Sequence, residues 1–127
     1  MEWQFLVPNL AVRDVPAAQA WYRDTLGLKA NWIWEDTFGS VGTDRIELFL
    51  YESDERRPGI CSVFVDDVEA VYERCRPDAN VVSELELKPW GVREFSVQDP
   101  DGNVLRIGHS EDEASEPEKF TFLTEAR

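Results

Sequence analysis

KPWGVREFSVQDPDGN, Lys88 to Asn103, is the stretch around which this chain is organised. Trp90-Gly91 reads as an exposed aromatic at a turn, and Arg93 to Gln98 alternates polar and apolar residues as a half-buried strand does. Asp99-Pro100-Asp101-Gly102-Asn103 is turn chemistry: Pro100 presets one backbone angle and Gly102 supplies a positive φ at no steric cost. Val104 to Ile107 then returns as a second strand, so the stretch is a hairpin with an aromatic at its mouth.

Outward from the hairpin, the second half begins with an alternating strand, Ile60 to Val65. Asp66-Asp67 caps a helix from Val68 to about Arg76, which Pro77 stops, and a strand near Val81 to Glu86 leads into the hairpin. The first half has the same order. Trp3 to Val12 has strand composition interrupted by Pro8, which removes a ladder donor and marks a bend or an edge. Asp14 is a candidate N-cap, Pro16 falls in the first helical turn and Gly27 suits a C′ position, which bounds a helix from Val15 to Leu26. Strand-like stretches follow at Asn31 to Thr37, Phe38 to Gly42 (a short strand or turn) and Arg45 to Glu52. In the last, Ile46, Leu48 and Leu50 share one face, and Glu47, Phe49 and Tyr51 share the other. Val12-Arg-Asp-Val15 and Val65-Asp-Asp-Val68 each end a strand and start a helix at an offset of 53 residues, from 12 to 65. The expectation is one α+β domain, residues 1–127, of two βαβββ modules, 1–57 and 58–110, joined through the charged Ser53 to Gly59 linker. A run at 111–127 forms an acidic tail, in which Phe120 to Leu123 is a candidate short strand.

Composition bounds the function. With 13 basic against 26 acidic residues the net charge is −13, which opposes nucleic acid or an anionic membrane as partner and favours a cationic ligand. No apolar run is long enough to span a bilayer. Only Cys61 and Cys75 are present, on an expected strand and helix, and no apolar export segment is found, so a reducing cytoplasm is the expected compartment.

The W-G-x-R-E-F strand followed by D-P-D-G-N resembles the C-terminal motif of the vicinal oxygen chelate superfamily, which includes glyoxalase I, extradiol dioxygenases and fosfomycin and bleomycin resistance proteins. It is most similar to the bleomycin-binding members. Leu10 to Val15, Trp21 to Leu28 and Val63 to Val68 fall where that family has them, so the resemblance covers roughly residues 5 to 110. It implies curved sheets with helices outside and a concave pocket. It also implies an arm-exchanged homodimer, with Pro8 as the hinge that lets the N-terminal strand cross to a second subunit.

Enzymes of the superfamily hold a divalent metal in that concavity with His, Glu or Gln. The resemblance maps those positions onto Val7, Ile60 and Arg106, none of which can ligate, and leaves a ligand-type residue only at Glu47. No metal, cofactor or catalytic residue is therefore expected. His109, the sole histidine, lies off the inward parity of Val104, Arg106 and Gly108 and reads as structural. If Glu47 and Arg106 are equivalent inward positions of the two modules, an ion pair is expected where relatives place the metal. Parity and resemblance line the pocket with Trp32, Phe38, Glu47, Phe49, Tyr51, Ser62, Phe64, Trp90, Gly102 and Arg106. Trp3, Trp21 and Trp34 read instead as packing residues. Flat rings with an acidic surface suit a planar cationic ligand, and the resemblance implies that this is a bleomycin-type antibiotic, sequestered without chemistry. The alternatives are a metal-dependent lyase, dioxygenase or thiol transferase, and a small-molecule-binding accessory protein.

Overall fold

The computed structural model describes residues 1–55 and 57–110; the expected acidic tail and its candidate strand at Phe120 to Leu123 lie outside them. Each half folds as strand, helix and three strands: β1 (Asn9–Val12), α1 (Val15–Leu26), β2 (Lys29–Trp34), β3 (Phe38–Gly42), β4 (Glu47–Glu52), then β5 (Ile60–Phe64), α2 (Val68–Cys75), β6 (Asn80–Leu87), β7 (Val92–Gln98), β8 (Val104–Ser110). Two four-stranded mixed sheets result, in the orders β1-β4-β3-β2 and β5-β8-β7-β6, and in each the strand before the helix runs parallel to the last strand. The architecture is α+β, as the repeated pattern predicts.

Local chemistry sets the helix bounds. The Asp14 carboxylate accepts the Ala17 N–H at 2.9 Å, and Gly27 closes α1 in the left-handed region at φ 74°. Val15, Ala18, Tyr22 and Thr25 fall three or four residues apart on the helix and are buried against the first sheet. Asp67 caps α2 by accepting from Ala70 N at 3.0 Å, and the helix buries Val68 and Cys75. A single apolar cluster joins the halves, with Leu10, Tyr22, Val41 and Leu50 from one and Cys75, Phe95, Val97 and Leu105 from the other.

The D-P-D-G-N turn between β7 and β8 fastens the second half to the first. The Asp99 carboxylate accepts from Asp101 N and Asn103 N, each at 2.9 Å, and from the Tyr22 hydroxyl at 2.7 Å. Asn103, fully buried, donates to the Ala11 carbonyl at 2.9 Å and to Asp99 at 3.0 Å while accepting from Gly59 N at 2.8 Å. Arg13 reaches the same turn through Asp101. Burial, and then the adjacent Asp99 carboxylate, push the Tyr22 phenol well above its ordinary value.

One strand is shorter than expected. β1 begins only at Asn9, and the stretch before it leaves Trp3, Phe5 and Leu6 between 81% and 92% exposed. Pro8 has no N–H to extend the ladder, although its carbonyl still accepts from Phe49 N at 2.9 Å. Trp3 thus packs into no core of its own chain, contrary to expectation, whereas Trp21 packs partly against it.

Candidate functional site

Each sheet presents one face to its helix and an inner face away from it. On the first sheet that inner face is aromatic. Trp32 on β2, Phe38 on β3 and Phe49 on β4 meet edge to face, with ring centroids 5.2 to 5.4 Å apart. This geometry places the positive rim of one ring against the negative face of the next. Tyr51 and Trp34 stand on either side of Phe38 in the strand ladders and extend the surface. At 59% exposed on this face, Trp34 is not the packing residue its sequence context suggests. At the other end of the patch, Ser40 donates to Glu47 while accepting from Asn31 at 3.1 Å.

The inner face of the second sheet carries charged and hydrogen-bonding groups beside apolar Ile60 and Phe64. Lys88-Pro89-Trp90-Gly91 forms a turn closed by Gly91 N–H to the Lys88 carbonyl at 2.9 Å, and Gly91, at φ 83°, redirects the chain into β7. Trp90 thereby lies over the start of β7, and its indole N–H donates to Glu94 Oε1 at 2.8 Å. Arg106 on β8 grips the same carboxylate in a fork, Nε to Oε2 and Nη2 to Oε1, both 3.1 Å, and its guanidinium carbon stands 5.8 Å from the Trp90 ring centroid. Burial disfavours the ionised form of Glu94, which is 5% exposed. Hydrogen bonds from Arg106 and Trp90, with the charges of Arg106 and Lys88, outweigh that penalty and hold the carboxyl below its usual range. Ser62 and Ser96 flank Arg106 in the ladders, and Phe64 lies further along β5, 47% exposed.

The expected ion pair between Glu47 and Arg106 does not form in the chain, and the ladders show why. Asn9 lies opposite Phe49, whereas Ser62, offset from Asn9 by the repeat of 53 residues, lies opposite Arg106. The equivalent of Arg106 is therefore Phe49, and the two expected partners are two residues out of register. Glu94 is the partner that sequence reasoning missed. A signal for it existed: Ser96 faces Arg106 across the ladder, so Glu94, two residues earlier on the same face, is its diagonal neighbour.

The remaining expected site residues are dispersed. Glu47, Ser62 and Phe64 line a cleft of about 700 Å³ between the N-terminal arm, the start of β4 and β5, together with Leu6 and Val7. Gly102 belongs to the β7–β8 turn at φ 94°, beside Pro58 and a hollow walled by Trp21, Asn80 and Gln98, and neither inner face includes it. His109 on β8 lies 3.1 Å from the Val65 carbonyl through Nδ1.

The residues at the expected metal positions do not fit a metal. Val7 and Ile60 offer no donor atom and Arg106 is a cation. Among the described residues no three His, Cys, Asp or Glu side chains are grouped as a metal site requires. Among the same residues no helix is long and apolar enough to cross a membrane.

A family model described as the Glyoxalase/Bleomycin resistance protein/Dioxygenase superfamily matches residues 4–107. Solved structures of the same fold include a bleomycin-binding protein from bleomycin-producing Streptomyces verticillus complexed with copper(II)-bleomycin (24% identity, 87% of this chain and 99% of that one, TM-score 0.74). Others are a bleomycin resistance determinant encoded on the transposon Tn5 (23%, 86% and 99%, 0.74) and a lactoylglutathione lyase from Agrobacterium tumefaciens (21%, 87% and 96%, 0.72). No curated protein matches the chain.

Proposed function

Since the chain belongs to the glyoxalase/bleomycin resistance protein/dioxygenase superfamily, whose structural relatives include both antibiotic binders and a lyase, we propose that it is a binder without metal chemistry. It sequesters a planar, cationic antibiotic of the bleomycin type and releases it unchanged. The observation that carries this reading is the edge-to-face cluster of Trp32, Phe38 and Phe49 on an open inner face, a stacking surface in a chain of net charge −13. Val7, Ile60 and Arg106 at the ligand positions argue in the same direction, because binding needs affinity and no Lewis acid.

The binding unit is an arm-exchanged homodimer with two equivalent clefts. Trp3, Phe5 and Leu6 on a segment that precedes β1 support this assembly, since a second copy would cover the apolar surface one chain exposes. The free thiols of Cys61 and Cys75 suit a reducing cytoplasm.

The test is a calorimetric and tryptophan-fluorescence titration of the purified protein with metal-free and copper(II)-loaded bleomycin, with metal analysis and sedimentation on the same sample. The expected result is saturable binding of one ligand per chain, two per dimer, that weakens with salt. Stoichiometric divalent metal, or no binding of either form, would overturn the reading.

A further inference from the structure

We propose that Glu94 sets the charge selectivity of the inner face by cancelling Arg106, so that a planar cation can stack where an uncompensated guanidinium would repel it. The inference rests on the proposed binding of a planar cation, takes the second sheet's inner face, with Trp90, as part of the ligand site, and names the residue that decides which ligands it admits.

Three contacts converge on one carboxylate. Glu94 Oε1 receives the Trp90 indole N–H at 2.8 Å and Arg106 Nη2 at 3.1 Å, and Oε2 receives Arg106 Nε at 3.1 Å. Glu94 is nearly covered, its side chain 6% exposed, while Arg106 is 39% exposed toward the open face. The acid therefore lies beneath and the base above, which is the arrangement in which the buried partner tunes what the exposed one shows to a ligand. The same carboxylate orients the ring: with its N–H held by Glu94 and the guanidinium 5.8 Å from its centroid, Trp90 has a fixed plane.

Among the described residues Glu94 is the acid that pairs with Arg106. Lys88, the other cation near Glu94, is paired with Glu86, and Arg93 points to Glu69 on α2. The other groups flanking Arg106 in the ladders, Ser62 and Ser96, carry no charge. Removal of the Glu94 charge thus leaves a net positive group beside the Trp90 ring on the second sheet's inner face, and like charges brought together at a desolvated surface oppose binding.

The experiment uses two probes with one ring system and opposite charge, pyrenylmethylammonium and pyrenesulfonate, titrated into the full chain. The quantity read is the ratio of their affinities. Wild type is expected to favour the ammonium, and Glu94→Gln, which keeps the shape and the acceptor oxygen, to shift the ratio about tenfold toward the sulfonate. Arg106→Gln is expected to shift it the opposite way, and the double variant Glu94→Gln/Arg106→Gln to return it to near the wild-type value. That return separates charge cancellation from a structural role, because a carboxylate needed only to hold the fold is not replaced by removing its partner. If Glu94→Gln folds poorly, Arg106→Gln and the double variant carry the test. An unchanged ratio in a folded single variant, a double variant that behaves like Glu94→Gln, or a wild type that takes neither pyrene would overturn the proposal. A wild type that binds the pyrenes with this dependence but ignores copper(II)-bleomycin removes the antibiotic and leaves the role of Glu94 intact.

Discussion

The two inner faces come from the same βαβββ plan and have opposite chemistry. Where the first sheet places Phe49 against Trp32 and Phe38, the second places Arg106 against Glu94 and Trp90. At equivalent ladder positions one half thus has a ring and the other a guanidinium, opposite Asn9 and Ser62 respectively. Repetition of the backbone does not repeat the surface: core-facing positions are held apolar by packing against the helices, whereas the inner faces are open and free to diverge. One face can therefore supply stacking area and the other hydrogen bonds and charge balance, which a single repeated surface could not.

The strongest way to break this comparison is to separate the halves. Asn103→Ala removes three hydrogen bonds, two of them buried, and strands the Ala11 carbonyl and the Gly59 N–H, so a loss of about 3 kcal/mol is expected in urea unfolding. A loss below about 1 kcal/mol would show that the Asn103 contacts are not what joins them. Next in size is the contrast between the faces. Trp32→Ala is expected to weaken a planar ligand by about 2 kcal/mol, as the ring touches two others, and Trp90→Ala by about 1 kcal/mol, both read by calorimetry. Equal losses would mean that the two faces contribute alike.

Titration with acid and base sharpens the contrast further. Glu94 ionises below its ordinary 4.5 in the fold, so its contribution to stability is complete above that value and is lost as the pH falls through the lowered one. Thermal unfolding of Glu94→Gln should accordingly show a shallower acid limb than wild type. Tyr22 behaves in the opposite sense. An unfolded phenol ionises near 10.0 and the buried one later, so stability is intact below that pH and declines as the pH rises above it, a decline that Tyr22→Phe should reduce. The smallest effect expected is that of Pro8→Ala, a shift of about 1 kcal/mol or less in dissociation of the proposed dimer, measured by sedimentation, if the proline presets the arm.

Much of the fold was legible because its signals are local. Asp14, Asp67 and Gly27 bound the helices by chemistry within one turn, and β4 alternates in sequence as it does in space. The site was less legible. Trp32, Phe38 and Phe49 follow from parity and resemblance together, but Trp34 reads as packing because a ring on a strand says nothing about which face is covered. Gly102 was carried to the site by resemblance, whereas the turn that contains it serves as a clip between halves. The pairing of Glu47 with Arg106 treats them as equivalent positions of matching strands, whereas the ladders make Phe49, two residues further along β4, the equivalent of Arg106.

By itself the sequence determined the repeated βαβββ order, the capped helices, the hairpin at Asp99 to Asn103 and the lack of metal-ligating side chains at Val7, Ile60 and Arg106, because each depends on residues near in the chain or on side-chain chemistry alone. Only the tertiary structure decided that Arg106 answers to Glu94, that Asn103 binds Ala11 and that Tyr22 meets Asp99. These contacts depend on ladder register and on how two sheets pack, and both are set by the sum of many weak long-range interactions that no short stretch contains.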